Sequence, residues 1–180
     1  MSQLAFHSRQ ESRLTHWSAL SQYTCAVVTF LCRELLRGTP WAAAVARALE
    51  AEDDLAPDCP VVTRALRDGY ETGYHGASIA AAGLSRGGFC VDVLRAAVYF
   101  VTRADTFASA LTPALAFAGG PNYCPVLVGA LAGARFGAGA VGPHWLEGRT
   151  DKNLEERCSL AADGLLALFP ELNEPESPCR

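Results

Sequence analysis

The spacing of hydrophobic positions along the chain predicts a series of amphipathic helices. In the stretch 18–37, the residues that recur at the three- to four-residue interval of one helical face are Leu20, Thr24, Val27, Leu31 and Leu35. The same period predicts further helices over 40–50, 60–72, 91–103, 106–117, 125–136 and 151–168. No segment shows a convincing two-residue alternation, so the pattern predicts an all-α fold.

Glycine, proline and short polar residues mark the breaks between these helices. Pro40 is placed to begin the second helix, and 51–60 is a loop rich in acids and proline. The glycine-rich stretch 73–90 is predicted to be irregular, with a short helical turn at Ser78–Ala82. Its last part, from residue 86 on, fits a strand as well as a helix. Asp105 is predicted to be the N-cap of the helix over 106–117.

The predicted helix over 126–136 is unusually poor in bulky side chains. Its central run is Gly129-Ala130-Leu131-Ala132-Gly133-Ala134. Small residues in a helix allow a neighbouring backbone to approach closely. We therefore expect this helix to be central and buried, with Gly129 and Gly133 at close helix crossings.

The length and the composition fit one globular domain. The chain has 180 residues, of which half are hydrophobic and 19% are charged. We divide it into a largely polar N-terminal segment 1–17, a helical domain 18–169 and a flexible tail 170–180 rich in proline and acids.

Charge, hydropathy and cysteine content exclude several classes of function. The formal net charge is −4 and no run of Lys and Arg occurs, so a nucleic-acid partner is not expected. No apolar run approaches the roughly 18 residues of a membrane span. The seven cysteines are odd in number and lack a C-x-x-C pair. They predict free, reduced thiols and a cytoplasmic protein.

The loop 118–124 is the strongest candidate for a binding site. Gly119 and Gly120 would allow backbone amides to approach a ligand, and Pro125 begins a helix directly behind them. Amides and a helix N-terminus together favour an anion such as a phosphate. We take Gly119, Gly120, Asn122, Tyr123 and Cys124 as candidate ligand-binding residues. The alternative is a glycine turn that joins two packed helices and binds nothing.

Other polar residues give weaker signals. A thiol at the helix start, as in Cys124, could be reactive, but no histidine lies near it in sequence to act as a base. His75 is flanked by glycines and is the best functional candidate among the four histidines. Asp53 and Asp54 are interpreted as solvated charges and not as a metal clamp.

Several segments resemble the ADP-ribosylglycohydrolase family in the order in which they occur. They are Ser12-Arg13-Leu14-Thr15-His16, Leu36-Arg37-Gly38, Gly88 to Ala97, Thr106-Phe107 with Ala110, Leu111 and Ala114, Gly129 to Gly137, and Trp145. The resemblance spans about residues 12–146 and is carried most specifically by the block 126–137. It implies an orthogonal all-α helical bundle, which we expect to be incomplete here.

The same resemblance implies a magnesium site that this chain does not reproduce. Family members hold two cations with carboxylates from an N-terminal Gly-Asp segment, a Thr-Asp-Asp run and a Gly-Asp-x-Asp-Thr loop. We expect the chain to begin downstream of the first two elements. In the third, the two aspartates fall on Gly120 and Asn122 and the threonine on Tyr123. No retained metal cofactor is therefore expected, since divalent cations need carboxylate charge.

These features define three functional hypotheses. The resemblance implies a hydrolase that removes ADP-ribose from protein side chains, and we expect this chain to be an inactive or truncated member. The second hypothesis is a metal-independent module that binds ADP-ribose or another phosphate-bearing ligand. The third is a helical structural or interaction domain. The expected partners are ADP-ribose, an ADP-ribosylated protein, or a second copy bound through an uncovered apolar face.

Overall fold

The computed structural model describes residues 2–145 and 153–168, and within them the chain is helical. The helices are α1 (Ser2–Arg13), α2 (Ala19–Leu36), α3 (Trp41–Glu50), α4 (Glu52–Leu55), α5 (Pro60–Tyr74), α6 (Cys90–Thr102), α7 (Phe107–Phe117), α8 (Cys124–Phe136) and α9 (Leu154–Leu168). Short 3₁₀ helices occupy Ala138–Ala140 and Pro143–Trp145. These residues include no strand, which confirms the all-α prediction, including over 86–93.

The chain divides into two compact units, one up to Gly142 and one from Pro143 onward. The first unit contains α1 to α8, and the second contains α9. The expected tail, 170–180, lies outside the described residues. None of the described helices combines the length and the apolar character needed to cross a lipid bilayer.

Two helices were not predicted from the sequence. Helix α1 lies in the segment 1–17 and packs against α2. It buries the small residues Ala5 and Ser12. Large hydrophobic residues therefore do not recur clearly at helical spacing, and the sequence pattern did not predict this helix. Helix α4 occupies part of the predicted loop 51–60, where Leu55 is fully buried.

The predicted N-cap of α7 was wrong by one residue. Thr106, and not Asp105, holds the cap position in extended conformation. The Thr106 hydroxyl accepts a hydrogen bond from the backbone N–H of Ser109 at 3.1 Å, and the Ser109 hydroxyl accepts one from the backbone N–H of Thr106 at 3.0 Å. This reciprocal pair satisfies two N–H groups at the helix start, which Asp105 alone could not do.

Helix α6 forms the centre of the first unit. It contacts α2, α5, α7 and α8. Nine of its residues are buried: Val91, Val93, Leu94, Ala96, Ala97, Val98, Tyr99, Phe100 and Val101. A helix that is apolar on nearly all sides has to be enclosed by other helices, and α6 meets this condition.

The prediction that the glycine-alanine helix is the buried centre was wrong. Helix α8 packs one face, through Val128, Leu131 and Ala132, against its neighbours. A Cβ atom at Gly129 or Gly133 would meet no atom within 4 Å. These glycines therefore do not lie at close helix crossings.

The close crossing lies instead between α5 and α6. A Cβ atom at Gly69 would come within 2.5 Å of the carbonyl oxygen of Arg95. At Gly73 it would come within 2.8 Å of the Cβ of Thr102 and 2.9 Å of the carbonyl oxygen of Tyr99. The absence of side chains at both glycines lets the two backbones pack directly against each other.

The segment between α5 and α6 is held to the core by long side chains of α6. The Tyr99 hydroxyl donates to the carbonyl of Ala77 at 2.5 Å, and the Arg95 guanidinium donates to the carbonyl of Ala82 at 2.8 Å. Residues 76–89 form turns, as predicted for most of 73–90, whereas 73–74 belong to α5 and Cys90 begins α6. Within the predicted helical turn, the backbone N–H of Ala82 donates to the carbonyl of Ser78 at 2.8 Å. The path of residues 76–89 is thus fixed by hydrogen bonds to α6.

We predict that Gly69→Ala and Gly73→Ala each lower the free energy of unfolding by about 1–3 kcal/mol or more, because the added methyl group overpacks the α5–α6 contact. Gly133→Ala is the matched control. It adds the same group in open space within a helix and should be neutral or stabilising by up to about 1 kcal/mol. Urea denaturation followed by circular dichroism measures all three. Equal stability of the Gly73 and Gly133 variants would contradict the assigned crossing.

Candidate functional site

The loop between α7 and α8 alternates between exposed and buried residues. Gly119, Gly120 and Tyr123 are exposed, whereas Asn122 and Cys124 are buried. Tyr123 has 64% of its surface exposed. The five candidate residues therefore do not converge on one point. Tyr123, Gly119 and Gly120 can contact a ligand directly, whereas Asn122 and Cys124 face the interior.

The buried Asn122 side chain uses its amide group inside the protein. Its Nδ2 donates hydrogen bonds to the carbonyl oxygens of Ser85 at 3.1 Å and Gly87 at 2.9 Å. Its Oδ1 accepts a hydrogen bond from the backbone N–H of Cys124 at 2.8 Å. Both amide protons are thus engaged. We call this arrangement the Asn122 clamp, because it joins the loop 118–124 to the segment before α6.

The two glycine-rich segments joined by the clamp are in close contact. A Cβ atom at Gly88 would lie 2.6 Å from the carbonyl oxygen of Pro121. The backbone N–H of Asn122 donates to the carbonyl of Gly119 at 3.1 Å and closes a tight turn within the loop. The backbone amides of Asn122 and Cys124 are therefore occupied internally, while the amides of Gly119 and Gly120 belong to exposed residues.

Cys124 is placed as a structural residue. Its side chain is fully buried, and burial raises the pKa of its thiol to about 11. The thiol remains protonated at neutral pH and is a poor nucleophile, despite its position at the start of α8. This geometry favours the structural interpretation of Cys124 over the reactive one.

A cavity of about 360 Å³ opens beside Tyr123. Its walls come from the end of α1 and the following turn, from α2, from the start of α6 and from α8. The lining residues are Glu11, Ser12, Thr15, His16, Ser21, Thr24, Cys25, Val28, Thr29, Gly88, Cys90, Val93, Tyr123 and Leu127. Its size lies near the lower end of the range for small-molecule sites.

The cavity combines apolar walls with hydroxyl groups. Val28, Val93 and Leu127 supply apolar surface. Thr24 is buried, and its hydroxyl has no hydrogen-bond partner within the protein. An unpaired buried hydroxyl is costly, which makes it a candidate to pair with a ligand or water. An apolar pocket with few polar groups is the usual character of a small-molecule site.

The positions of the histidines differ from the expectation from sequence, in which His75 was the best functional candidate. His16, in the turn after α1, lines the cavity. His75 caps the end of α5, is exposed, and lies edge-on against the ring of Tyr74. It is not among the lining residues. Asp53 and Asp54 are exposed on α4, as expected for solvated charges.

The residues of this region do not fit a pair of divalent cations. Gly120, Asn122 and Tyr123 carry no negative charge, and the Asn122 amide is already committed to Ser85 and Gly87. Among the lining residues of the cavity, all within the described part of the chain, Glu11 is the single carboxylate. Within residues 2–145 and 153–168, no three potential ligand side chains come together in a metal-binding cluster. Magnesium prefers several oxygen ligands with net negative charge.

Most of the cavity was not recognised from the sequence. Ser21, Thr24, Cys25 and Val28 belong to a helix that shows only an ordinary amphipathic pattern. The sequence of α2 held one useful indication of this cavity, its polar content. Ser21, Thr24 and Thr29 supply three hydroxyl groups, more than a helix face needs when it packs only against the core. The contribution of α1 had no such signal, because α1 itself was not predicted.

Comparison with known proteins relates the chain to a protein family. The family model described as ADP-ribosylglycohydrolase matches residues 2–175. No curated protein and no solved structure shows a significant match to the chain.

We predict that Asn122→Asp destabilises the protein by about 3 kcal/mol or more at pH 7. The new carboxylate would face the carbonyl oxygens of Ser85 and Gly87 and lose two donated hydrogen bonds. Repulsion would raise the pKa of the new carboxyl in the folded state above its unfolded value of about 3.9. The decrease in the free energy of unfolding should therefore be largest at neutral pH and should become smaller as the pH falls towards about 4.

Urea unfolding midpoints at pH 7 and pH 4 test this prediction. Gln10→Glu introduces the same charge at an exposed position of α1 and serves as the control, with a change within about 0.5 kcal/mol. If Asn122→Asp were as stable as the wild type at pH 7 and bound magnesium more tightly, the Asn122 clamp would be rejected as a structural element.

Proposed function

The chain belongs to the ADP-ribosylglycohydrolase family, and from this premise we propose that it binds an ADP-ribose group without removing it from its carrier. The ligand in this proposal is free ADP-ribose or ADP-ribose attached to a protein side chain. The proposal places the protein in the cytoplasm. Its described thiols, Cys25, Cys32, Cys59, Cys90 and Cys124, are all free, as a reducing compartment would leave them.

The observation that carries the proposal is the Asn122 clamp. At the loop where the family resemblance expects two aspartates, this chain has a glycine and an asparagine whose amide is used internally. Two divalent cations bring a charge of about +4, and the loop offers no negative charge to balance it. Metal-activated water, the source of catalysis implied by the resemblance, would have no site in this loop.

The cavity beside Tyr123 supports retained binding. A volume of about 360 Å³ suits one part of ADP-ribose, such as the base or a ribose, and not the entire molecule. The exposed Tyr123 ring offers a face for stacking at the cavity, and the hydroxyl groups offer hydrogen bonds to a sugar or a base. Gly119 and Gly120 are exposed in the same loop, and the proposal assigns their backbone amides to a phosphate.

A second candidate function is that of a helical interaction domain. Several large apolar side chains near the cavity-lining residues are exposed. Leu14 is 83%, Trp17 is 74% and Val126 is 66% exposed. Leu14 and Trp17 flank the turn that carries His16, and Val126 follows Tyr123 by less than one turn of α8. Exposed apolar groups of this kind favour association with a partner or with a second copy.

We predict that ADP-ribose binds with equal affinity in the presence of magnesium and of a chelator. Tyr123→Ala should weaken binding about tenfold, because it removes the exposed ring from the cavity. Tyr74→Ala is the control, since Tyr74 is similarly exposed but lies outside the lining residues. Isothermal titration calorimetry measures affinity. A parallel assay with ADP-ribosylated arginine and serine peptides measures release.

Magnesium-dependent release of ADP-ribose by the unmodified chain would reject the proposal and restore the hydrolase hypothesis. Absence of binding and release together would favour the interaction domain. Binding that is lost equally in Tyr74→Ala and Tyr123→Ala would place the ligand elsewhere on the molecule.

For the interaction domain, we predict concentration-dependent self-association that Val126→Asp reduces. A charge at this exposed position opposes burial in an apolar interface and leaves the folded monomer intact. Sedimentation velocity over a wide concentration range measures the effect. Gln10→Glu on α1 is the control for the added negative charge, since Gln10 is also exposed. A monomer at every concentration would contradict self-association.

A further inference from the structure

Two thiols line the cavity beside Tyr123. Cys25 lies on α2, and Cys90 is the first residue of α6. Both are partly exposed and both are free. We propose that Cys25 and Cys90 form an oxidisable dithiol, a modification site for hydrogen peroxide and related hydroperoxides. Oxidation joins them in a disulfide that links α2 to α6 and closes the cavity.

The packing of α2 against α6 brings the two cysteines to the same place. The hydroxyl of Ser21 donates a hydrogen bond to the Cys90 sulfur at 3.9 Å. Cys25 follows Ser21 by four residues on the same face of α2, a rise of about 6 Å along the helix. The Cys90 sulfur therefore lies within about one helical turn of Cys25. A disulfide needs Cα atoms about 4.4–6.8 Å apart, so the proposal requires the start of α6 to bring Cys90 to that distance from Cys25.

The other thiols of the described chain are less suited to this reaction. Burial raises the pKa of Cys32, and it raises the pKa of Cys124 to about 11. Burial also raises the pKa of Cys59, against a backbone hydrogen bond with Val62 that lowers it, and the nearby Cys90 thiol adds a smaller upward shift. A raised pKa reduces the thiolate fraction, and the thiolate is the form that reacts with peroxide. Cys59 is close enough to Cys90 to be the competing partner that the experiment has to separate.

The reaction balances with peroxide as the two-electron oxidant. The Cys90 thiolate attacks one peroxide oxygen, so that an S–O bond forms, the O–O bond breaks and the departing hydroxide takes up a proton to become water. The Cys25 sulfur then attacks the sulfenic sulfur. An S–S bond forms, the S–O bond breaks, and the leaving hydroxide takes the Cys25 proton as a second water. Two thiols are oxidised and one peroxide is reduced to two waters.

The consequence for ligand binding rests on the proposed function, whereas formation of the disulfide does not. A bridge from Cys25 to Cys90 would cross the wall that also carries Ser21 and Val93. It would remove free volume from a cavity that is already small for a nucleotide fragment. Oxidation should therefore prevent ADP-ribose from entering, and a thiol reductant should restore binding.

The test uses the full chain treated with a slight excess of hydrogen peroxide. Intact-mass spectrometry should show the loss of two hydrogen atoms, and peptide mapping without reduction should recover the Cys25–Cys90 crosslink. Cys25→Ser and Cys90→Ser should each abolish this crosslink. Cys32→Ser and Cys59→Ser are the matched controls and should retain it. Thermal melts of each variant establish that loss of the crosslink does not reflect loss of the fold.

Three outcomes would overturn the proposal: no mass loss, a crosslink that joins Cys59 to Cys90, or a crosslink that persists in Cys25→Ser. A second arm compares ADP-ribose affinity before and after oxidation within each protein. Oxidation should lower the affinity of the wild type at least tenfold and should leave that of Cys25→Ser unchanged from the value of the same variant when reduced. A crosslink with unchanged affinity would reject closure of the cavity. Absence of ADP-ribose binding in the reduced protein would reject the proposed function and leave the dithiol supported by the crosslink.

Discussion

The Asn122 clamp is the interaction on which the candidate site depends. A single buried amide donates to two carbonyl oxygens before α6 and accepts from the first backbone N–H of α8. It thereby fixes the distance between two glycine-rich segments whose backbones are in direct contact at Gly88 and Pro121. A neutral amide can do this because it both donates and accepts. A carboxylate at the same position could accept but could not bond to the carbonyls.

This chemistry explains how the fold can be retained while the expected metal ligands are absent. In the family resemblance, carboxylates at this loop serve cations. Here the corresponding asparagine serves the protein itself, and Tyr123 turns outward beside a cavity lined by hydroxyl and thiol groups. At this position, hydrogen bonds within the protein take the place of the negative charge that a metal site would need. The loop therefore offers little to hold an ion, and under the proposed function the site would recognise a neutral sugar or base next to a phosphate.

The core that supports this site is built from close backbone packing. Gly69 and Gly73 let α5 lie directly against α6, and α6 is buried on nearly all sides by its neighbours. The irregular segment between the two helices is then attached through side chains of α6 to the carbonyls of Ala77 and Ala82. As a result, the position of Cys90 and of the cavity wall is set by the same helix that forms the core.

The sequence by itself determined the helical class, helices α2, α3 and α5 to α9, and a neutral loop before α8. Hydrophobic period, glycine and proline are local signals, and they act within one or two turns of the chain. Tertiary structure alone decided that α6 and not α8 is central, that Gly69 and Gly73 rather than Gly133 meet a neighbour, and that α1 contributes to the cavity. Burial of a small residue depends on which helix packs against it, and no single segment carries that information. Likewise, the sequence around a loop asparagine is the same whether its side chain faces water or two carbonyl groups. The Asn122 clamp could therefore be identified only from the tertiary structure, in which the two segments lie together.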